Sequence, residues 1–515
     1  MNDKFTSLNY RYMDDSIYNR RSSPPSEYIQ SYDDVQWKFT QNRDDLFTAT
    51  SKDQEYSEEE KALVRKIDFL VLPIICTLDF LQFFDKSTIN YASVMTFKED
   101  LNLHGSQYSL LGSIFYLGYF LFQLPNNYLL QRVPIGKYIG ALVIIWGIIL
   151  LSTAFGKNFS QLAALRFLLG FFEAGIYPSL TLLISTFYRR SEQVVRLGLF
   201  WMCNGLALFI GGLVAYGIGH MSNTGHFKSW QWLMIILGSV TIAMGIICVF
   251  FLIDSPKSSA LGLNAEQELL VEERTKDNAT VRTTEIKKEQ IWEALKELRF
   301  WCFCGACVLI NLQNGAMTIY NAQITESFGF NQLQSILLTV GAGGSTIIFI
   351  GLAIVSVRKT QQTIYTACGL TSINIIGLIL LIVIPTTKVK LIGFYLAWSY
   401  VSVYVLLITC ISNNVTGYTK KIFYNGVLML FYTIGNFVGP LMMVKPPYTE
   451  GIVGYLVANC LVVIFFLLAR WRMALVNTHR LKELGHASDA AMVAPYTYVQ
   501  EDISDEQDQS FIYIL

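Results

Sequence analysis

Four charged side chains within otherwise apolar segments are the residues of this chain best suited to do chemistry. Asp85 and Lys86 are adjacent at the end of one such segment, and Arg166 and Glu173 interrupt another. A charge at the centre of a bilayer costs about 2.5–3.5 kcal/mol on insertion scales, so it is retained where it faces an opposite charge or a water-filled path. These four residues therefore predict a pathway for an ion or a charged solute.

The spacing of the charges predicts how they act together. Arg166 and Glu173 are seven residues apart, so they share one helix face about 10 Å apart, and we expect Asp85 and Lys86 to face the same cavity. The deeper Glu173 is the best candidate for a proton-binding group, and Asp79 is a second candidate or pairs with a polar neighbour. Protonating Glu173 would leave the cavity with a net positive charge, which favours binding of an anion. The planar guanidinium of Arg166 is expected to anchor a carboxylate better than Lys86 does. A purely structural role, joining two helices, remains an alternative.

The composition indicates what must position these side chains. Of 515 residues, 52% are hydrophobic and 15% are charged, whereas soluble domains carry about 25% charged residues. Twelve apolar segments are long enough to cross about 30 Å of hydrocarbon. They are 67–90, 108–130, 137–156, 161–188, 194–219, 231–253, 300–325, 332–356, 363–384, 391–413, 420–444 and 450–471. We therefore predict an all-α membrane protein with twelve transmembrane helices in a six-plus-six arrangement. The formal net charge of zero indicates no nucleic-acid partner.

Polar stretches divide the chain into five parts. They are a largely disordered N-terminal tail at 1–66, a six-helix bundle at 67–253, a connector at 254–299, a second bundle at 300–471 and a C-terminal tail at 472–515. Lys and Arg are enriched in the loops on the connector side, which predicts that the connector and both tails are cytoplasmic. We expect no cleavable signal peptide before the first span. We expect the plasma membrane, with the endoplasmic reticulum as an alternative.

Polar side chains in other spans are candidates for contacts with a solute. Tyr119 lies on one face of the second segment, and the second half carries amides in place of charges, among them Asn311, Asn314 and Asn436. Because an unpaired amide is costly in hydrocarbon, each of these should face either a cavity or another helix. The first half is therefore expected to handle charge and the second half to recognise substrate shape. Contact with substrate and bonding between helices remain equal alternatives for each amide, and packing against a neighbouring helix is an equal alternative for Tyr119.

The cysteines indicate neither disulfides nor a metal site. All nine lie in apolar segments and are expected to behave as small hydrophobic residues. Cys302, Cys304 and Cys307 are close in sequence, but the first two project to different sides of a helix and no His is nearby. We expect no metal and no cofactor. The loops contain no nucleophile–base arrangement, so an enzyme is not expected.

Four sequence runs carry a resemblance to a known family. They are Asp85-Lys86-Ser-Thr-Ile-Asn-Tyr-Ala92, Leu165-Arg-Phe-Leu-Leu-Gly-Phe-Phe-Glu-Ala-Gly-Ile-Tyr-Pro-Ser179, Tyr188-Arg-Arg-Ser-Glu-Gln-Val-Val-Arg196 and Gly211-Gly-Leu-Val-Ala-Tyr-Gly217. With the six-plus-six layout, they resemble the anion:cation symporter family of the major facilitator superfamily. The match is closest to the fungal allantoate permease-like group, which includes thiamine-repressed carboxylate permeases. The resemblance covers about residues 60–470 and is most specific between 165 and 217.

The resemblance implies a function and assigns roles to residues. It implies proton-coupled uptake of a small organic anion, such as a carboxylate or a ureide acid, by a monomer in the lipid bilayer. It assigns proton coupling to Asp85 and Glu173 and substrate binding or gating to Lys86 and Arg166, with Tyr119 as a cavity hydroxyl. A permease for a vitamin or a vitamin precursor is an alternative. A transporter-like nutrient sensor, which binds a solute without accumulating it, is an alternative of another class.

Overall fold

The computed structural model of the chain is helical throughout its membrane-crossing part. It describes residues 58–130, 132–188, 190–221, 227–256, 287–385, 388–487, 503–509 and 511–515, with short stretches between 258 and 271. Residues 1–57 of the predicted N-terminal tail and nearly half of the connector, including 272–286, therefore lie outside the described residues. The helices are α1 Glu58–Leu70, α2 Leu72–Ser93, α3 Phe97–Asp100, α4 Gln107–Leu130, α5 Ile135–Thr153, α6 Phe159–Glu173, α7 Ile176–Phe187, α8 Arg190–Gly219, α9 Ser229–Phe251, α10 Lys288–Lys296, α11 Leu298–Glu326, α12 Gln332–Thr360, α13 Thr363–Val383, α14 Lys390–Ala397, α15 Tyr400–Asn414, α16 Tyr418–Val438 and α17 Thr449–Ala487.

The helices account for the predicted spans. Eleven helical segments among the described residues are long and apolar enough to cross a membrane. The predicted span at 108–130 is α4, a helix of 24 residues. The first helix begins at Glu58, before the predicted boundary at 67, and the last continues to Ala487, beyond the boundary at 471. The helices extend beyond the predicted span boundaries because an apolar run marks only the part that crosses hydrocarbon. The charged residues next to that run also favour a helix.

The two halves of the bundle repeat the same pairings. In the first half α2 packs on α8 and α5 packs on α9, and in the second half α11 packs on α16 and α13 packs on α17. The halves meet along two further pairs, α8 with α12 and α4 with α16. The six-plus-six arrangement is therefore visible in the packing as well as in the order of the helices.

Small residues allow the helices to approach closely. A methyl group added at Gly147 of α5 would lie 2.9 Å from the backbone nitrogen of Ile242 on α9, and one added at Gly245 would lie 2.8 Å from that of Ile144. In the second half, a methyl at Gly435 of α16 would lie 2.5 Å from a backbone oxygen of α11. Lipid offers no hydrophobic force between helices, so such contacts depend on close van der Waals packing.

The ends of the spans define two faces of the bundle. Lys66 of α1 donates to the Gly262 carbonyl at 3.3 Å, and the Gly136 amide at the start of α5 donates to Asp254, beyond the end of α9. These ends lie together on what we call the connector face. The opposite face, which carries α3, is called the far face.

Direct hydrogen bonds join the two halves near the far face. The Asn90 side chain on α2 accepts the backbone N–H of Ala322 on α11 at 2.8 Å. The hydroxyl of Tyr108 on α4 lies 2.8 Å from the Ile319 carbonyl, also on α11. All four of these residues are buried, so these contacts close the bundle at this end.

The last residues of the chain bind to the second half at the connector face. The Asn477 side chain of α17 pairs with the backbone of Tyr513 through two hydrogen bonds of 2.9 Å. The Asn414 side chain at the end of α15 pairs with the backbone of Ile514 at 2.9 and 2.7 Å. The predicted tail at 472–515 thus continues as a helix to Ala487. Its last described residues bind to the second half.

Candidate functional site

An ion pair between Lys86 of α2 and Glu173 of α6 lies within the first half of the bundle. Lys86 Nζ and Glu173 Oε1 are 3.1 Å apart. The Glu173 side chain is fully buried, whereas Lys86 keeps 14% of its side-chain surface accessible. Neither carboxylate oxygen has a donor aligned for a hydrogen bond among the described residues. Charge attraction therefore holds the pair, and Lys86 is its more accessible member.

Local backbone structure places Glu173 at this position. Close packing brings α6 against α4, since a methyl at Gly118 of α4 would lie 2.9 Å from the backbone nitrogen of Phe171. Glu173 is the last residue of α6, before the break that leads to α7. A helix end leaves carbonyl groups without partners in the helix. The Gln82 side chain of α2 donates to the Glu173 carbonyl at 3.5 Å, so the break also contacts α2.

Asp85 faces a different helix from its neighbour Lys86. The Thr241 hydroxyl on α9 donates to Asp85 Oδ2 at 2.7 Å, and Asp85 is fully buried. Successive residues of an α-helix project about 100° apart, so Asp85 and Lys86 have different direct partners. Asp85 nevertheless interacts electrostatically with Arg166 and Glu173, and a cavity shared by the four charges stays a prediction.

Arg166 lies near the ion pair but does not join it. Its Nη2 atom is 3.5 Å from the Thr88 hydroxyl, and only 3% of the residue is exposed. Arg166 interacts electrostatically with Asp85 and Glu173, yet no salt bridge to Arg166 occurs in the part of the chain that the structure describes. Of the two predicted cations, Lys86 is thus the more accessible and Arg166 the more enclosed.

A second carboxylate lies on the same side of α2 as Lys86. Asp79 precedes Lys86 by seven residues, which places both on one helix face. Asp79 is 2% exposed, and its Oδ2 atom has no hydrogen-bond partner among the described residues. It interacts electrostatically with Lys86 and with Tyr177 of α7. The spacing of seven residues between Asp79 and Lys86 is the feature of the sequence that predicts their shared helix face.

Aromatic rings of α4 lie beside the ammonium group. Lys86 Nζ is 5.3 Å from the ring centroid of Phe115 and 5.8 Å from that of Tyr119. A cation within about 6 Å of a ring centroid is stabilised by the ring. The structure thus places Tyr119 next to the charged cluster, as the sequence resemblance implied.

Aromatic side chains from both halves form a continuous wall near the pair. Ring centroids are 5.3 Å apart for Tyr177 and Trp201, 6.3 Å for Trp201 and Tyr404, and 5.6 Å for Tyr404 and Tyr432. All four are half-buried, and Tyr432 interacts electrostatically with Lys86. We call these four residues the aromatic wall. The sequence did not predict it because each contact joins two different helices, and the contact of Trp201 with Tyr404 joins the two halves.

The three candidate amides of the second half bind one another. Asn436 of α16 donates to Asn311 Oδ1 of α11 at 3.1 Å, and Asn314 donates to Asn436 Oδ1 at 2.8 Å. The Tyr400 hydroxyl donates to Asn314 Oδ1 at 3.2 Å. Asn311 and Asn436 are buried, while Asn314 is half-buried. The amides therefore join α11 and α16, and Asn314 is the member with accessible surface.

Three carboxylates gather at the connector face, and each of them already forms a salt bridge with a cation. Oxygens of Glu293, Glu297 and Asp505 lie within 4.8 Å of one another. Lys420 forms salt bridges with all three, and Arg299 does so with Glu297 and Asp505. Burial alone would raise the pKa of Asp505, but Arg299 and Lys420 outweigh it and hold that pKa below its usual value. The cluster is thus a charge network that attaches the C-terminal segment to α11 and α16.

Comparison with known proteins identifies relatives over most of the chain. The thiamine pathway transporter THI73 of Saccharomyces cerevisiae is 30% identical over 484 residues, covering 92% of this chain and 90% of that protein. Allantoate permease of the same yeast is 30% identical over 397 residues, covering 74% and 73%. An uncharacterized transporter of Schizosaccharomyces pombe is 31% identical over 465 residues, covering 87% and 86%. The relatives are named transporters and permeases.

Solved structures share the fold at low sequence identity. A bacterial homologue of the human lysosomal transporter Spinster, inward-facing and unoccupied, matches with a TM-score of 0.57 and 16% identity, covering 79% of this chain and 97% of that one. A D-xylose–proton symporter matches with a TM-score of 0.57 and 14% identity, covering 78% and 97%. The sequence profile of the Major Facilitator Superfamily matches residues 75–475. The chain is therefore a multi-pass membrane transporter of the major facilitator superfamily, in the group of fungal proteins that includes allantoate permease.

Proposed function

We propose that this protein imports a small organic anion together with protons by alternating access. The observation that carries the proposal is the ion pair between Lys86 and Glu173. It contains one accessible cation, and the partner of that cation is a carboxylate that can be neutralised by a proton. When a proton neutralises Glu173, an anionic substrate can therefore replace Glu173 as the partner of Lys86.

The pair gives a simple coupling scheme. With Glu173 ionised, Lys86 is neutralised internally and the empty carrier can reorient without a net charge at the pair. A proton on Glu173 releases the ammonium, which then binds the carboxylate of a substrate. Lys86 is neutralised again when the substrate is bound, so both states that reorient avoid an unpaired charge in the bilayer.

The other residues supply further contacts in this proposal. In this proposal Lys86 replaces Arg166, the anchor expected from the sequence, as the primary anion anchor, because its side chain is the more accessible of the two. Arg166 strengthens the positive potential behind it. Tyr119 and Asn314 offer a hydroxyl and an amide to the substrate, while Asn311 and Asn436 hold Asn314 in place. A coupling role for Asp85 would require its bond with Thr241 to change during the cycle.

The contacts at the far face support alternating access. Besides the hydrogen bonds of Asn90 and Tyr108, Lys98 bonds to Gln323 of α11, and the Tyr448 hydroxyl donates to the same Gln323 oxygen at 3.0 Å. These bonds must break for the far face to open. In this proposal the connector and both termini are cytoplasmic, so closure at the far face corresponds to a state closed to the outside. We place the monomeric protein in the plasma membrane.

Two kinds of anion are the leading substrates. Allantoate permease is a relative, which favours a ureide acid or a simple mono- or dicarboxylate. The aromatic wall favours a second candidate, an anionic vitamin precursor with a flat ring, because aromatic faces stack on planar groups.

Uptake of labelled anions tests the proposal. Cells that lack their own permeases and express this protein receive labelled allantoate, short carboxylates and ring carboxylates at acidic and neutral external pH. We expect at least one anion to accumulate, and more strongly at acidic pH. Accumulation of none would refute the transport proposal, and binding without accumulation would indicate a sensor.

Two variants sharpen the test. Glu173→Gln should lose accumulation in a proton gradient and retain exchange of labelled for unlabelled anion, since Gln resembles the protonated side chain. Glu450→Gln, at an exposed position near the start of α17, is the matched control and should accumulate normally. Normal accumulation by Glu173→Gln would show that Glu173 does not couple proton movement to transport.

A further inference from the structure

The charges in the core of the first half do not balance when Asp79 is counted. Lys86 and Arg166 contribute two positive charges, and Asp79, Asp85 and Glu173 contribute three negative ones. With every group ionised, the cluster carries one excess negative charge. That excess would repel an anionic substrate and would leave an uncompensated charge inside the bilayer, which is costly.

Geometry identifies Asp79 as the carboxylate in excess. Glu173 has the Lys86 ammonium at 3.1 Å, and Asp85 has the Thr241 hydroxyl at 2.7 Å. Asp79 is nearly as buried as those two, at 2% exposure, but it has no salt bridge among the described residues and its Oδ2 atom has no donor there. Burying an ionised carboxylate without a partner is far more costly than burying it neutral.

The groups around Asp79 offer no alternative compensation. On its own helix it interacts with Lys86, which is already paired, and with the Cys76 thiol. The packed neighbours contribute the Tyr177 hydroxyl from α7 and the Cys203 thiol from α8. None of these neighbours other than Lys86 is a cation, so a proton is the simplest means of neutralising Asp79.

We propose that Asp79 is a second proton-binding carboxyl of the transport site, on the connector side of the Lys86–Glu173 pair. This inference rests on the proposed function. α2 begins at the connector face, so Asp79 lies between that face and Lys86. A proton on Asp79 makes the cluster neutral, and a proton on Glu173 then makes it positive and able to bind an anion. An ionised Asp79 would instead compete with the substrate for Lys86.

Infrared spectroscopy tests the proposal without any substrate. The full-length protein in lipid nanodiscs at neutral pH should show the carbonyl stretch of a buried, protonated carboxyl group. We expect this band to persist in Glu173→Gln, to disappear in Asp79→Asn and to shift in frequency in Asp79→Glu. Asp68→Asn is the matched control, because Asp68 pairs with Arg196 at 2.7 Å and should not contribute to the band.

Each outcome decides the question. A band that persists in folded Asp79→Asn, or that disappears in Asp85→Asn instead, would overturn the proposal. If Asp79→Asn does not fold, Asp79→Glu decides, since an unshifted band would exclude Asp79. Failure of the wild-type protein to accumulate any anion would refute the proposed function while leaving the band in place. The two failures are therefore distinguishable.

Discussion

Lys86 and Glu173 lie 3.1 Å apart, between Nζ and Oε1, and connect two spans of the first half. The pair is asymmetric, because the Glu173 side chain is fully buried while the Lys86 side chain retains accessible surface. Lys86 is therefore the more open member of the pair. This arrangement is what makes the pair suited to exchange one anionic partner for another.

Removing one member of the Lys86–Glu173 pair should lower the free energy of unfolding more than removing both members. Glu173→Gln leaves a cation without its anionic partner, which should lower the free energy of unfolding by about 1–3 kcal/mol. The double variant Lys86→Met with Glu173→Gln should recover most of that loss, yet it should not bind an anion. Thermal unfolding of the four proteins of this cycle in detergent measures the coupling. Additive losses would show that the pair contributes nothing to stability.

The two cations should differ in their importance for binding. Lys86→Gln should abolish binding of the transported anion, because it removes the accessible charge. Arg166→Gln should weaken binding by about tenfold, equivalent to about 1.4 kcal/mol, because Arg166 acts at longer range. Equilibrium binding of the labelled anion to purified protein compares the two variants. A stronger loss in Arg166→Gln would reverse the assigned roles.

Loosening the far face should shift the carrier toward its other state. Tyr108→Phe removes the hydroxyl that bonds to the Ile319 carbonyl of the other half, which should cost about 1 kcal/mol and change the conformational ratio roughly fivefold. Labelling of a cysteine introduced near the far face should become faster. Tyr455→Phe is the matched control, since its hydroxyl donates to Gly439 at 2.7 Å within one half. Equal labelling rates in the two variants would argue against a gate at Tyr108.

The docked C-terminal segment should depend on Asp505. This buried carboxylate forms salt bridges with Arg299 and Lys420, so Asp505→Asn should weaken docking by about 1–3 kcal/mol. Hydrogen exchange at residues 511–515 should accelerate accordingly. Glu506→Gln, at an exposed neighbouring position, should leave exchange unchanged. Slow exchange in Asp505→Asn would assign docking to the remaining hydrogen bonds of the segment, including those of Asn414, Asn477 and Arg480.

Docking of the segment should also fail in acid. Burial alone would raise the pKa of Asp505, but Arg299 and Lys420 outweigh it and keep the pKa below the usual value. The free carboxyl titrates near about 3.9. A lowered pKa in the docked state means that the carboxylate contributes fully above that pH and loses its contribution as the pH falls through the docked value. The protection factor of the amides at residues 511–515, which corrects for the intrinsic pH dependence of exchange, should be steady from neutral pH to about 5 and should fall in stronger acid. Asp505→Asn should lack this fall.

The sequence by itself determined the fold class and the importance of the charged spans. Apolar run length is a local property, and it is sufficient to identify a membrane-crossing helix because hydrocarbon leaves the backbone few alternatives. The spacing of seven between Asp79 and Lys86 also fixes a shared helix face in advance of any coordinates. The relation between Arg166 and Glu173 on one helix follows in the same way.

Only the tertiary structure decided which charges meet. Lys86 pairs with Glu173, whereas Asp85 turns to Thr241 on α9, because the rotation of each helix is set by packing against its neighbours. The same reason explains the aromatic wall, whose members come from both halves, and the bonding of Asn311 to Asn436. A single helix specifies the direction of its side chains relative to one another, and the packed bundle specifies what those side chains face.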